Sequence, residues 1–223
     1  MYTVSASGNS RDPAAEKKAV DAANSRVKMD ALIRTRSEAA LQAAAKDPDK
    51  GLDLVPDIPS PPKQAEVLGR IAQSVAQTDA AKTRRILARC IALLEDVKYP
   101  SDRVIPWDEV AAAAGAIHDE ATVQVAIDHL LADAAELYRE DSAADRPNRA
   151  WRENWPSTQA YRRAIIRVTK LQNVDAEPVL QKIADPDLNV LARITMAQTL
   201  LDRPVDNFQT FGGRTHPPQL ANR

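Results

Sequence analysis

At 223 residues the chain can hold one large domain or two small ones, and its 30 basic and 31 acidic side chains leave a formal charge of −1. That balance disfavours a general polyanion binder, nucleic acid included, while leaving room for a local basic face. Hydrophobic residues make up 44% but aromatics only 4%, with 6 glycines and abundant alanine, so helix is favoured over sheet.

The chain opens with MYTVSASGNS, where Tyr2, Val4 and Ala6 alternate with Thr3, Ser5 and Ser7. Residues 1–12 are read as an extended or disordered N-terminus. They lack the basic start and apolar core of a signal peptide, which slightly favours the cytoplasm and leaves export of the natural protein open. No apolar run approaches the roughly 20 residues of a membrane span, so none is expected.

Asp12-Pro13 is a cap-plus-proline start, and residues 13–46 can form one long helix. Its apolar positions, Val20, Val27, Leu32, Ile33 and Leu41, are sparse. The expectation is a helix lying across the first pair of helices and shielding their edge.

From residue 47 onward one device recurs. In LQKIADPDLNVLARITMAQTLL (180–201) an apolar run stops at Ile183, an Ala-Asp-Pro elbow follows, and a second run starts at Leu188. Laid on this stretch, IPSPPKQAEVLGRIAQSV (58–75) matches Ile58 to Ile183 and Pro61 to Pro186. Laid in turn on VKYPSDRVIPWDEVAAAA (97–114), it matches Ile58 to Val97 and Pro61 to Pro100. Proline cannot continue a helix but suits the first position of a new one, and Asp185 before Pro186 is a good N-cap. A fourth elbow is expected at Pro156, with Ser157 or Thr158 as cap.

First helices are then predicted at 48–58, 79–97, 119–139 and 175–184, and second helices at 61–77, 101–116, 157–171 and 186–202. Val67, Ile71 and Val75, like Ile194, Ala197 and Leu201, recur at helical spacing. The pairs fall near 47–77, 78–116, 118–172 and 175–203, giving a single helical domain over 13–203. The fold class is all-α: an α-α superhelix of about four antiparallel helix pairs preceded by a long N-terminal helix. The tail 204–223, with GGRTHPPQLANR, has no periodicity and is read as disordered or loosely docked.

On these elbows and on DPDLNVLARITMA, similar to the second helix of a HEAT repeat, residues 47–203 resemble the α-solenoid helical-repeat proteins of the tetratricopeptide and HEAT kind. The resemblance is one of architecture. It implies stacked helix pairs and an extended binding surface, and it carries over no functional residue.

One segment departs from the pattern. REDSAADRPNRAWRENWPS (139–157) inserts a long loop where other elbows need about three residues, and it holds Arg139, Arg146, Arg149 and Arg152 with Trp151 and Trp155. Tryptophan and arginine are frequent interface anchors. Arg149, Trp151, Arg152 and Trp155 are therefore the candidate partner-binding residues. The alternative is that the tryptophans fold the loop onto the helices. Asp141 and Asp145 lack the spacing of a calcium loop.

Cys90, the only cysteine, sits in ILARCIALL and reads as a small buried hydrophobe. His118, in IHDEAT, reads as part of a helix cap. His129 is about 16 Å further along by helical rise, too far to share a metal with it, and His216 lies in the tail. Neither G-x-S-x-G nor a phosphate-cradling glycine loop occurs. No catalytic residue, metal or cofactor is assigned. KTRRILAR (82–89) and YRRAIIRVTK (161–170) are locally basic, with Arg85 and Arg89, and Arg163 and Arg167, sharing faces. They could hold phosphates or an acidic peptide, or lie solvated.

Three functional readings follow. The first is a non-catalytic scaffold binding a protein or peptide. The second is a purely structural all-α module of a larger bacterial protein. The third is an enzyme whose acid/base residues meet only in space.

Overall fold

A computed structural model describes residues 13–143, 154–171 and 175–202. The expectations for residues 1–12, the tail from 204, Asp145 and His216 lie outside these. The described chain is all-α, a stack of antiparallel helix pairs behind a long N-terminal helix, and it contains no strand. The elements are α1 (Pro13–Lys46), α2 (Pro48–Leu54) with a 3-10 turn (Val55–Asp57), α3 (Pro61–Ala76), α4 (Ala80–Glu95) and α5 (Pro100–Ala116). They continue with α6 (Glu120–Ala143), α7 (Pro156–Lys170), α8 (Glu177–Gln181) and α9 (Pro186–Leu200).

Proline occupies the first position of α2, α3, α5, α7 and α9, as the elbows require. Side-chain oxygens cap the free amides at several helix starts. Asp79 accepts from Lys82 N at 2.8 Å, Asp119 from Thr122 N at 3.2 Å, and Asp185 from Asp187 N and Leu188 N at 2.9 and 3.0 Å. Asp185 also works between helices, since its other oxygen accepts from the Tyr138 hydroxyl at 2.6 Å and so fastens the start of α9 to α6.

Helices α3, α5, α7 and α9 form a row in which each packs on the next, while α4 packs on α3 and α5, and α6 on α5 and α7. Leu68 and Ile71 of α3, Val110 of α5, Leu130 of α6 and Ile165 of α7 are fully buried in the shared core. Each such side chain contributes about 1.5–3 kcal/mol by leaving water. Two contacts need glycine. A Cβ on Gly69 would stand 2.6 Å from Glu109 Cβ, so α3 and α5 meet at bare backbone. A Cβ on Gly51 would meet Ala44 Cα at 2.7 Å and the Ala40 carbonyl at 2.9 Å, so α2 closes on α1 the same way.

Helix α1 packs on α2 and α3 as expected, though only through its second half, and three other expectations are corrected. Only Ser37, Ala40 and Ala44 are buried, with Ile33 and Leu41 half-buried, whereas residues 14–32 are exposed, Val20 and Val27 among them. Its apolar positions are too widely spaced to make one buried stripe over 34 residues. Helix α6 ends at Ala143 rather than 139, because Arg139–Ala143 contains no helix breaker. The N-cap of α7 is neither Ser157 nor Thr158 but Trp155, which makes no side-chain capping bond. His118 does not cap α6. It has φ 55° and ends α5, its N–H donating to the Gly115 carbonyl at 3.1 Å and that of Asp119 to the Ala114 carbonyl at 2.9 Å. This is a reversing turn in which Asp119 closes one helix and caps the next.

Candidate functional site

The half-buried part of α1 and the N-terminal halves of α3 and α5 enclose a groove of about 500 Å³. Helix α3 forms its floor, because α1 and α5 both pack against α3. Ile33 and Leu41 of α1, Pro62 and Val67 of α3, and Ile105 and Pro106 of α5 supply apolar lining. Asp30, Arg34 and Glu38 stand along the α1 wall, and Asp102 along the α5 wall.

Charge on the floor is internally matched. Glu66 is buried, yet Lys63 Nζ lies 2.6 Å from one of its oxygens and Arg70 3.1 Å from the other. Arg70 also reaches Glu109 of α5 at 3.3 Å, and Gln73 donates to the same carboxylate. The floor is thus held by a network that ties α3 to α5. By contrast Asp30, Glu38 and Asp102 on the walls have no ion pair among the described residues. Pro106 adds one more polar feature. Lacking an N–H, it leaves the Asp102 carbonyl without the donor four residues on that a regular helix would give it.

This arrangement suits the docking of an apolar segment that carries a positive charge or backbone donors. Its lining contains neither histidine nor cysteine, and no group of His, Cys, Asp or Glu able to hold a metal occurs among the described residues. The chain matches no known family model, no curated protein and no solved structure.

Of the sequence-derived candidates, Arg149, Trp151 and Arg152 lie outside the described residues. Trp155 is buried at the start of α7, where its carbonyl accepts from Gln159 N at 3.1 Å. Asp141, considered for calcium, is a buried residue of α6 that accepts from Ser157 N at 3.1 Å. The two basic faces part company. Arg167 binds the buried Asp108 of α5 at 2.7 Å and Arg163 reaches it at 3.6 Å, so this face joins α7 to α5. Arg85 and Arg89 remain exposed without an ion pair among the described residues, Arg89 over a shallow hollow of about 350 Å³ between the 3-10 turn and α4.

Cys90 is buried and its thiol is pushed up to about 12, first by desolvation and then by the Glu109 charge. The S–H donates to the Ala65 carbonyl at 3.2 Å, as a structural cysteine would. His129 stacks flat on Trp107 of α5, ring centres 4.2 Å apart. The groove was not legible in the sequence because its residues span positions 30 to 106; the one local signal was a proline, Pro106, inside a helical pattern.

Proposed function

We propose that this protein is a non-catalytic helical scaffold that binds a protein or peptide segment in the groove between α1 and α5. The observation that carries the reading is the combination of apolar lining with three wall carboxylates unpaired among the described residues, above a floor whose own cations are already matched. Ile33, Leu41 and Ile105 would take apolar side chains of the partner, and Asp30, Glu38 and Asp102 would meet its cations. Stacked helix pairs of the α-solenoid kind present surfaces of this sort, because successive helices leave grooves that neither one fills. The candidate loop residues Arg149, Trp151 and Arg152 would then be a second surface, and buried Trp155 its anchor to the fold.

A peptide-display selection against the intact chain tests this. Peptides rich in apolar and basic residues should be enriched, and Ile105→Asp should weaken them at least tenfold while the helical circular-dichroism spectrum is kept. Enriched peptides that bind Ile105→Asp as well as the parent would contradict the groove.

A further inference from the structure

The face of α1 that walls the groove does not stop where the groove stops. Arg34 and Leu41 line the groove seven residues apart, and the same spacing leads back to Val27 and Val20. Ser37 and Asp30, also in the lining, lead back to Ala23. Residues seven apart lie on one face of a helix, so Val20, Ala23 and Val27 extend the seam along the first half of α1. No described residue covers that half. Residues 14–32 are exposed throughout, Val20 at 53% and Val27 at 68%.

The exposed half and the groove are complementary in charge. Residues 14–29 hold four basic side chains, Lys17, Lys18, Arg26 and Lys28, against two acidic ones, Glu16 and Asp21. None of the four forms an ion pair among the described residues. The groove walls carry the opposite excess, with Asp30, Glu38 and Asp102 against Arg34, over a floor where Glu66 already matches Lys63 and Arg70. The first half of α1 is thus an apolar, basic helix of the kind the groove suits. It cannot enter its own groove, because it runs on from the groove wall as one continuous helix, Pro13–Lys46.

We propose that the groove is occupied by the first half of α1 from a second copy of this chain, and that the exchange is reciprocal. This rests on reading the groove as a docking site and names what docks there. Two-fold symmetry places the same surfaces opposite each other, so both helices insert at once. The two α1 helices then run antiparallel and meet near their middle at Asp30, with the first half of each beside the second half of the other. The lengths agree, since residues 14–29 and 31–46 each span about 24 Å of helix. Val20 and Val27 enter among Leu41, Val67 and Ile105, and the small Ala23 lets the helices approach closely. Lys17 and Lys28 flank the seam on one side and Arg26 on the other, where they meet Glu38 and Asp102. Arg34 stands one turn from Asp30 as its countercharge at the axis.

Sedimentation equilibrium of the full chain tests this. The parent should be a dimer. Val20→Asp with Val27→Asp, at exposed positions, should weaken self-association at least tenfold, and so should Glu38→Lys with Asp102→Lys on the groove walls. Both variants should keep the helical circular-dichroism spectrum. Mixed together they should associate more tightly than either alone, because one intact helix then meets one intact groove and the new aspartates meet the new lysines. A dimer that either variant leaves intact overturns the proposal, since its interface lies elsewhere. A monomeric parent overturns it too. If a display-selected peptide still binds that monomer and Ile105→Asp abolishes the binding, the groove reading stands alone; if no peptide binds, both fall.

Discussion

Asp141 and Ser157 hold α6 and α7 together: the buried carboxylate in the last turn of α6 accepts the Ser157 backbone N–H, at the start of α7, at 3.1 Å. The N-cap residue of α7, Trp155, offers no side-chain oxygen, so the cap comes from another helix. Helix α7 is thereby fixed to α6 at the place where the connection between them is longest.

Replacing Asp141 by alanine leaves a buried donor without its acceptor and should cost about 1–3 kcal/mol of stability. Asp141→Asn keeps an acceptor oxygen and should cost less. Urea unfolding of the two variants beside the parent checks the order. Equal stability of Asp141→Ala and parent would show that the bond contributes nothing.

Cys90 gives a pH prediction of definite sign. Its thiol titrates near 9 when unfolded and at about 12 when folded. Below pH 9 both states hold the proton and stability is unaffected. Between 9 and 12 the unfolded state loses its proton first, so stability falls as pH rises, by up to about 4 kcal/mol for a gap of three pH units. Cys90→Ala should show a shallower fall over that range than the parent. Iodoacetamide at pH 8 should label Cys90 only after urea is added.

A third prediction concerns Arg103 and Asp133. Arg103 of α5 donates through Nε to Asp133 at 3.0 Å and through a second nitrogen to the same carboxylate, while its remaining nitrogen binds the Val97 carbonyl at 2.9 Å. The pairing with Asp133 raises Arg103 above its ordinary value, and burial pushes the Asp133 carboxyl up while Arg103 draws it down. Arg103→Met removes the downward pull on Asp133 together with the bond to the Val97 carbonyl, and strands a buried charge, at a cost of about 3 kcal/mol. An acid raised by burial is best tolerated protonated, so this variant should regain stability as pH falls and lose it as pH rises through the folded value. Arg103→Met with Asp133→Leu should recover most of the loss at neutral pH, which a double-mutant cycle in urea measures.

The elbows were legible in the sequence because their chemistry is local. Pro61, Pro100, Pro156 and Pro186 each start a helix in the structure, and Asp79, Asp119 and Asp185 each cap one within three residues. What escaped is contact between distant residues. The basic face of Arg163 and Arg167 looked free until Asp108, more than fifty positions earlier, came to meet it. Asp141 carried no sign of its cap, since the bond closes across 16 positions. The exposed first half of α1 has a different reason. Alanine-rich sequence forms helix without needing a partner, so a helical pattern there did not imply a buried one.

The most direct test of the proposed function maps the groove itself. Methyl resonances of the labelled protein would be followed during titration with a display-selected peptide. Occupation of the groove should shift Ile33, Leu41, Val67 and Ile105 together and to saturation, while Val190 and Ile194 on α9 stay in place. Shifts confined to α9, or saturating binding that leaves the Ile33 and Ile105 methyls unmoved, would show that the groove is not where the partner binds.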